Sequence, residues 1–173
     1  MAHRAPRISL SIICLVVLVC VAISVLYLFL KEPDQIKLSP YTSGVATAFE
    51  MVRRDIEGLF EIGVLVLGGL WGVGIVKKEE RLRRRDWPEI IMFASATFLL
   101  AAFLYLADQY SGMLELLYWN GQPLGLRQQA PDLFGSPYIR LYHISVHLAF
   151  YAGLFASAIA TFSICLLREG HHG

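Results

Sequence analysis

The hydrophobic pattern of this chain consists of four long apolar segments separated by polar connections. The segments cover residues 8–30, 59–76, 90–107 and 141–167. Each is close to or longer than the roughly 18–20 residues that cross the hydrocarbon core of a bilayer as an α-helix. The pattern therefore predicts an all-α membrane protein, a four-span transmembrane helical bundle that forms a single domain over residues 1–173.

The first apolar segment has a short basic start, with Arg4 and Arg7, as a signal peptide does. A cleaved signal has an apolar core of about 7–15 residues followed by a site of small residues. Here the apolar run is longer and is followed directly by Lys31 and Glu32, without such a site. The segment is therefore expected to be a retained membrane anchor.

The basic residues concentrate on alternate sides of the four segments. The short connection at residues 77–89 is rich in Lys and Arg, and both termini are also basic. The longer connections, at residues 31–58 and 108–140, spread their basic residues thinly among acidic ones. The excess of Lys and Arg in short loops marks the cytoplasmic side. We expect a multi-pass protein of the plasma (inner) membrane with both termini and the 77–89 loop in the cytoplasm, and with the two long connections facing outward.

The first outward connection contains a helical pattern before the second span. Its apolar residues recur at alternating steps of four and three, at Val45, Phe49, Val52, Ile56 and Leu59. This is the period of one helical face. The pattern predicts an extended second helix from about Ser43 to about Arg85, or an interfacial helix kinked at Gly58. Opposite charges at steps of three and four are expected to pair on its wet face, at Glu50, Arg53, Arg54 and Glu57.

The second outward connection carries the sequence Asn120-Gly121, a strong signal for a short hairpin turn. Prolines and glycines after it disfavour a long helix there. Tyr118, Trp119 and Phe134 suit an aromatic belt at the outer interface. The alternatives for this loop are an apolar cap over the bundle and a contact surface for another subunit.

The cytoplasmic connection ends in Asp86-Trp87-Pro88-Glu89, which is typical of a helix start, with an Asp cap, an early Pro and an acid in the first turn. Tryptophan and arginine next to a span suit the interface and its anionic headgroups. The candidate headgroup contacts are Arg83, Arg84, Arg85 and Trp87. A signal that only sets the topology is the simpler explanation of the basic cluster.

Small residues at spacing four occur in the second and fourth spans, at Gly68 and Gly72 and at Ala149 and Gly153. In lipid there is little hydrophobic drive between helices, and small residues let two backbones approach closely. These four residues are therefore a candidate helix-packing or oligomer interface. The sequence leaves open whether they pack within one bundle or between copies.

Ionisable groups form the most specific pattern, because they are costly at membrane depth and usually face each other or a cavity. The predicted topology places them at a similar depth in the outer leaflet, as a candidate polar or sensing cluster. Its members are Glu61, Asp108, Arg140, His143, His147 and Tyr151. A structural polar cluster or a subunit contact is the plainer interpretation. Ion handling, proton sensing and metal binding are the functional ones.

Metal and cofactor chemistry has weak support in the sequence. His143 and His147 are spaced for ligation from one helix, but the H-E-x-x-H order of a zinc protease is absent. Two axial haem histidines normally come from different helices. Cys14, Cys20 and Cys165 all fall in apolar segments, without metal-ligand spacing. The expectation is no cofactor and no metal, with His143 and His147 as the ligands if a metal binds.

The chain lacks the sequence motifs of several common enzyme classes. The chain has no Walker loop, no G-x-G-x-x-G, no G-x-S-x-G and no C-x-x-C pair. A net charge of +1 argues against a nucleic-acid partner. The sequence therefore predicts a non-catalytic membrane subunit or scaffold, either a homo-oligomer or bound to other membrane subunits. The alternatives are an ion- or proton-handling or sensing protein and a metal- or haem-bearing redox anchor.

Overall fold

The computed structural model describes residues 4–30, 38–40, 43–76, 87–121, 129–131 and 136–165. Within them the chain forms four helices and one short antiparallel sheet. In chain order the elements are α1 (Arg4–Leu30), β1 (Leu38–Pro40), α2 (Ser43–Val76), α3 (Trp87–Gly121), β2 (Gln129–Pro131) and α4 (Pro137–Cys165).

All four helices contain a segment long and apolar enough to cross a membrane. These segments are Ile8–Tyr27, Thr47–Ile75, Trp87–Leu116 and Pro137–Ser163. The predicted helical architecture with four candidate spans is confirmed, and insertion into a membrane stays a prediction. The side of the membrane that each end faces stays a prediction.

The centre of the bundle is the antiparallel pair α3 and α4. Leu100 and Phe103 on α3 and Val146 and Ala149 on α4 are fully buried. The rings of Phe103 and Phe150 contact each other with centroids 5.0 Å apart. Close packing of this kind replaces the hydrophobic drive that is missing between helices in lipid.

The helices α1 and α2 each pack against both α3 and α4. Their burial is nevertheless low, since 17% of the most apolar window of α1 and 11% of that of α2 are buried, against 50% for α4. The few buried residues of α2 include Phe49, Ile56 and Leu70. Both helices therefore present most of their apolar surface outward.

The helix α2 begins at Ser43 and continues to Val76 with Gly58 inside it. The extension predicted towards Arg85 lies outside the described residues. The expected charge pairs on its exposed face are present. Arg53 Nε donates to Glu57 Oε1 at 2.7 Å, and Arg54 Nε donates to Glu50 Oε1 at 3.3 Å.

The helix α3 begins at Trp87 with Glu89 in its first turn, as the Trp-Pro-Glu pattern predicts. Its end differs from the prediction, because the helix runs through Asn120 to Gly121. The Asn-Gly pair therefore closes a helix and does not form a hairpin turn. Tyr110 and Leu114 are buried beyond the predicted end of the span, and this packing favours continued helix over the local turn signal.

The sheet joins the two connections that were predicted to face outward. β1 and β2 pair antiparallel, with Leu38 opposite Pro131 and Pro40 opposite Gln129. β2 also packs against α3. A backbone pairing between distant connections has no periodic signature in so short a strand, so the sequence did not predict it.

Candidate functional site

Three potential ligands meet where the N-terminal part of α2 lies against α4. Asp55 comes from α2, and His143 and His147 come from α4. One side-chain ligand atom from each residue lies within 4.8 Å of the other two. We call these three residues the His–Asp cluster.

The start of α4 sets the direction of its two histidines. Pro137 is the first helical residue, and Arg140 N donates to Ser136 O at 3.1 Å to begin the helix. Proline suits this first position because its missing N–H has no partner there in any helix. Residues four apart then lie on one face, and the rings of His143 and His147 have centroids 4.3 Å apart.

The hydrogen bonds of His147 define its protonation pattern. Its Nδ1 lies 3.0 Å from the backbone oxygen of His143, which only accepts, so Nδ1 carries a proton. Its Nε2 lies 3.1 Å from Asp55 Oδ2, another acceptor when ionised. A neutral ring would point a lone pair at the carboxylate. A proton held between the two groups, or a metal cation bound by both, would complete this contact.

The other histidine of the cluster, His143, lies beside an aromatic ring of α3. The ring of His143 lies 5.9 Å from that of Tyr110 on α3, and Tyr110 stacks on Tyr142 at 5.5 Å with an angle of 11°. Within the described part of the chain, His143 Nδ1 is buried and has no hydrogen-bond partner. Buried polar atoms normally have a partner, so this nitrogen has unused capacity to donate or to bind a ligand.

The three residues lie at one level of the bundle. Asp55 is about 32 Å along the helix axis from the C-terminal end of α2, and His147 and His143 are about 27 and 33 Å from that of α4. The hydrocarbon core is about 30 Å thick. The cluster would therefore lie at one boundary of the core, where the half-exposed Asp55 can meet water.

Of the six residues in the predicted polar cluster, His143 and His147 are in contact with each other. Glu61 and Asp108 are exposed and do not belong to the group of three. Tyr151 is exposed, and its ring contacts Phe150 at 5.4 Å. Arg140 is also exposed, at the first turn of α4.

Asp55 was not among the predicted site residues. It lies in the outward helical segment, close to the charged residues Arg54 and Glu57. The pairing with His147 spans 92 residues of sequence. One sequence feature points to Asp55. It directly precedes Ile56, which is buried, and therefore lies at the edge of the packed face of α2.

The predicted small-residue positions serve two different surfaces. A Cβ built at Gly153 would lie 2.8 Å from Leu100 Cδ2, and Ala149 is fully buried, so both pack inside the bundle. At Gly68 and Gly72 a Cβ would meet nothing within 4 Å. These two glycines, with the equally open Gly69, form what we call the open glycine face of α2.

Only one of the four candidate headgroup contacts lies among the residues that the structure describes. Trp87 is exposed at the first residue of α3. Arg83, Arg84 and Arg85 lie outside the described residues. An exposed tryptophan at a helix start is compatible with an interfacial anchor.

Comparisons with known proteins do not place the chain in a family. No family model matches it, and neither the curated proteins nor the solved structures contain a match. Functional inference therefore depends on the geometry of the His–Asp cluster and of the open glycine face.

Proposed function

We propose that this protein is a non-catalytic subunit of the plasma membrane that assembles with a second copy of itself through the open glycine face of α2. The proposal rests on a single observation: some glycines of α2 face α3, and others face away from the bundle. A Cβ at Gly63 would lie 2.5 Å from Phe103, and one at Gly74 would lie 2.8 Å from Phe93. Gly68 and Gly72, between them, meet nothing.

The inward glycines account for the packing of α2 within its own bundle. They let α2 approach α3 across the rings of Phe103 and Phe93. The outward pair has no such use within the described residues. Glycine costs conformational entropy in a helix interior and contributes no side-chain contact with lipid. A second helix at close approach recovers dispersion along such a face, and a pair at spacing four is the motif for this packing.

The surroundings of the open glycine face support a helix–helix contact. Leu65 is 74% exposed, and Trp71 and Ile75 are also exposed on the same helix. They supply large apolar side chains beside the glycines. A self-complementary contact between two copies is the commonest form of oligomer.

The topology belongs to the same proposal. Both termini lie in the cytoplasm, and the β1–β2 sheet and the His–Asp cluster lie on the outer side. The basic 77–89 connection between α2 and α3 supports this orientation, because short basic loops stay inside.

The test is the mass of the purified full chain, measured by size-exclusion chromatography with light scattering corrected for detergent. The native protein is expected to be a dimer or a larger oligomer. The double variant Gly68→Leu with Gly72→Leu is expected to be a monomer, because two leucine side chains hold the partner backbone away.

The matched control is Ala101→Leu, which adds a large side chain at an exposed position of α3. It is expected to keep the native mass. A native monomer, or a double variant with the native mass, would contradict the proposal. A mass that includes a different co-purifying chain would replace the second copy with a partner subunit.

A further inference from the structure

We infer that the His–Asp cluster binds one divalent transition-metal ion of the zinc class, with Asp55, His143 and His147 as its protein ligands. This inference is independent of self-assembly through α2. Its ligands are one carboxylate and two imidazoles. Such a set suits borderline cations such as Zn²⁺ and Co²⁺, whereas Ca²⁺ and Mg²⁺ prefer sites made of oxygen.

The contact between α2 and α4 has nearly the spacing of two ligands on one metal. Tetrahedral ligands at about 2.0–2.1 Å from zinc are separated by about 3.3 Å. The distance between His147 Nε2 and Asp55 Oδ2 is 3.1 Å. An ion bound by both atoms would need their separation to increase by only a few tenths of an ångström.

His147 already has the hydrogen bond that supports a metal-bound histidine. Ligating histidines usually donate their other ring N–H to a carboxylate or to a backbone carbonyl, which fixes the tautomer and directs the free lone pair. His147 Nδ1 donates to His143 O at 3.0 Å. Its Nε2 lone pair is thereby directed at the position of the ion, next to Asp55.

His143 supplies the third ligand. It lies one helical turn before His147, the spacing that lets two histidines of one helix bind the same ion. Its ligand nitrogen lies within 4.8 Å of the ligand atoms of the other two residues. Binding would require a movement of the ring that shortens this separation to about 3.3 Å. The buried and unpartnered Nδ1 of the same ring shows that the protein alone leaves this imidazole incompletely bonded.

The site would be open on one side. Asp55 is 51% exposed, while the side chain of His147 is 25% exposed. Three protein ligands leave a fourth position for water, an arrangement found in zinc sites that exchange or activate a ligand.

The test uses the purified full chain with a tag that contains no histidine, titrated with Co²⁺ and then with Zn²⁺. Four-coordinate Co²⁺ is expected to give visible absorption that saturates at one ion per chain and that Zn²⁺ removes by competition. Ca²⁺ is expected to have no effect. His147→Ala, His143→Ala and Asp55→Asn are each expected to weaken binding by at least about tenfold, since even residues behind the ligands are worth about 10–100-fold.

The matched control is Glu57→Gln, which neutralises a carboxylate two residues from Asp55 that pairs with Arg53 instead. It is expected to bind metal like the native chain. The double variant His171→Asn with His172→Asn tests whether the C-terminal histidines bind the metal instead. It is also expected to keep the native affinity for Co²⁺. Absence of the Co²⁺ signal, or its loss only in that terminal variant, would overturn the inference.

Thermal unfolding separates loss of binding from loss of folding. Zn²⁺ is expected to raise the Tm of the native protein and of Glu57→Gln, because a ligand of the folded state stabilises it. Asp55→Asn is expected to fold, since Asp55 is half exposed, and to show no rise. If Zn²⁺ leaves the native Tm unchanged while Asp55→Asn lowers it, the contact is an ion pair only and the metal site is refuted.

Discussion

The tight contact between Gly153 on α4 and Leu100 on α3 predicts that Gly153→Ala destabilises the bundle. The new Cβ would lie 2.8 Å from Leu100 Cδ2, 3.2 Å from its Cγ and 3.4 Å from its backbone nitrogen. Rotation of the outer methyl groups would move Cδ2 but would leave Cγ in place. Leu100 is fully buried, so its side chain has no free space to enter. The helices α3 and α4 would therefore have to separate.

The magnitude follows from two opposing terms. Overpacking by one methyl group in a tight core costs about 1–3 kcal/mol. Replacing glycine by alanine inside a helix contributes about 0.8–1.0 kcal/mol of stability. The net change expected for Gly153→Ala is a loss of about 0–2 kcal/mol in the free energy of unfolding.

A matched control removes the helix term from this comparison. Gly112 also lies inside a helix, α3, but a Cβ there would meet nothing within 4 Å. Gly112→Ala is expected to be neutral or stabilising. The difference between the two variants then measures the overpacking alone, about 1–3 kcal/mol. The measurement is reversible unfolding by SDS in mixed micelles, followed by circular dichroism. Equal changes in both variants would refute the close contact between α3 and α4.

Three further outcomes are expected. Phe103→Ala should lower the free energy of unfolding by about 3–5 kcal/mol in the same assay. Phe98→Ala, at an exposed position of α3, should lower it far less. Similar losses in the two variants would contradict the assigned core. The predicted topology expects a cysteine at Gln109 to react with a membrane-impermeant maleimide in intact cells. A cysteine at Lys78 should react only after the cells are permeabilised. The reverse pattern would show the opposite topology. Arg54→Ala should change stability by less than about 1 kcal/mol, because its pair with Glu50 is exposed, and a larger loss would show a partner beyond that pair.

The sequence was sufficient for the local features of the fold. Long apolar runs predict spanning helices because the backbone must satisfy its own hydrogen bonds in lipid. The start of α3 at Trp87 and the charge pairs of α2 followed from short-range rules for helix starts and for residues four apart. The adjacency of His143 and His147 likewise follows from their spacing on one helix.

Short-range rules failed where tertiary packing opposed them. Asn120-Gly121 is a turn signal taken alone, but it ends a helix that packing at Tyr110 and Leu114 carries past the predicted end of the span. The β1–β2 pairing connects segments about 90 residues apart and has no local pattern. Interactions of this kind depend on how the helices are arranged, which periodicity does not encode.

Only the tertiary structure shows which of several similar residues face the bundle and which face outward. The sequence identifies Gly72 and Gly153 as small residues on apolar helices, but only the packing of the helices shows that Gly153 faces Leu100 while Gly72 faces outward. The sequence likewise offered two carboxylates for the histidines, Glu61 and Asp108. The position of α2 against α4 selects Asp55, because the direction in which a helix face points depends on its neighbours and not on its own sequence.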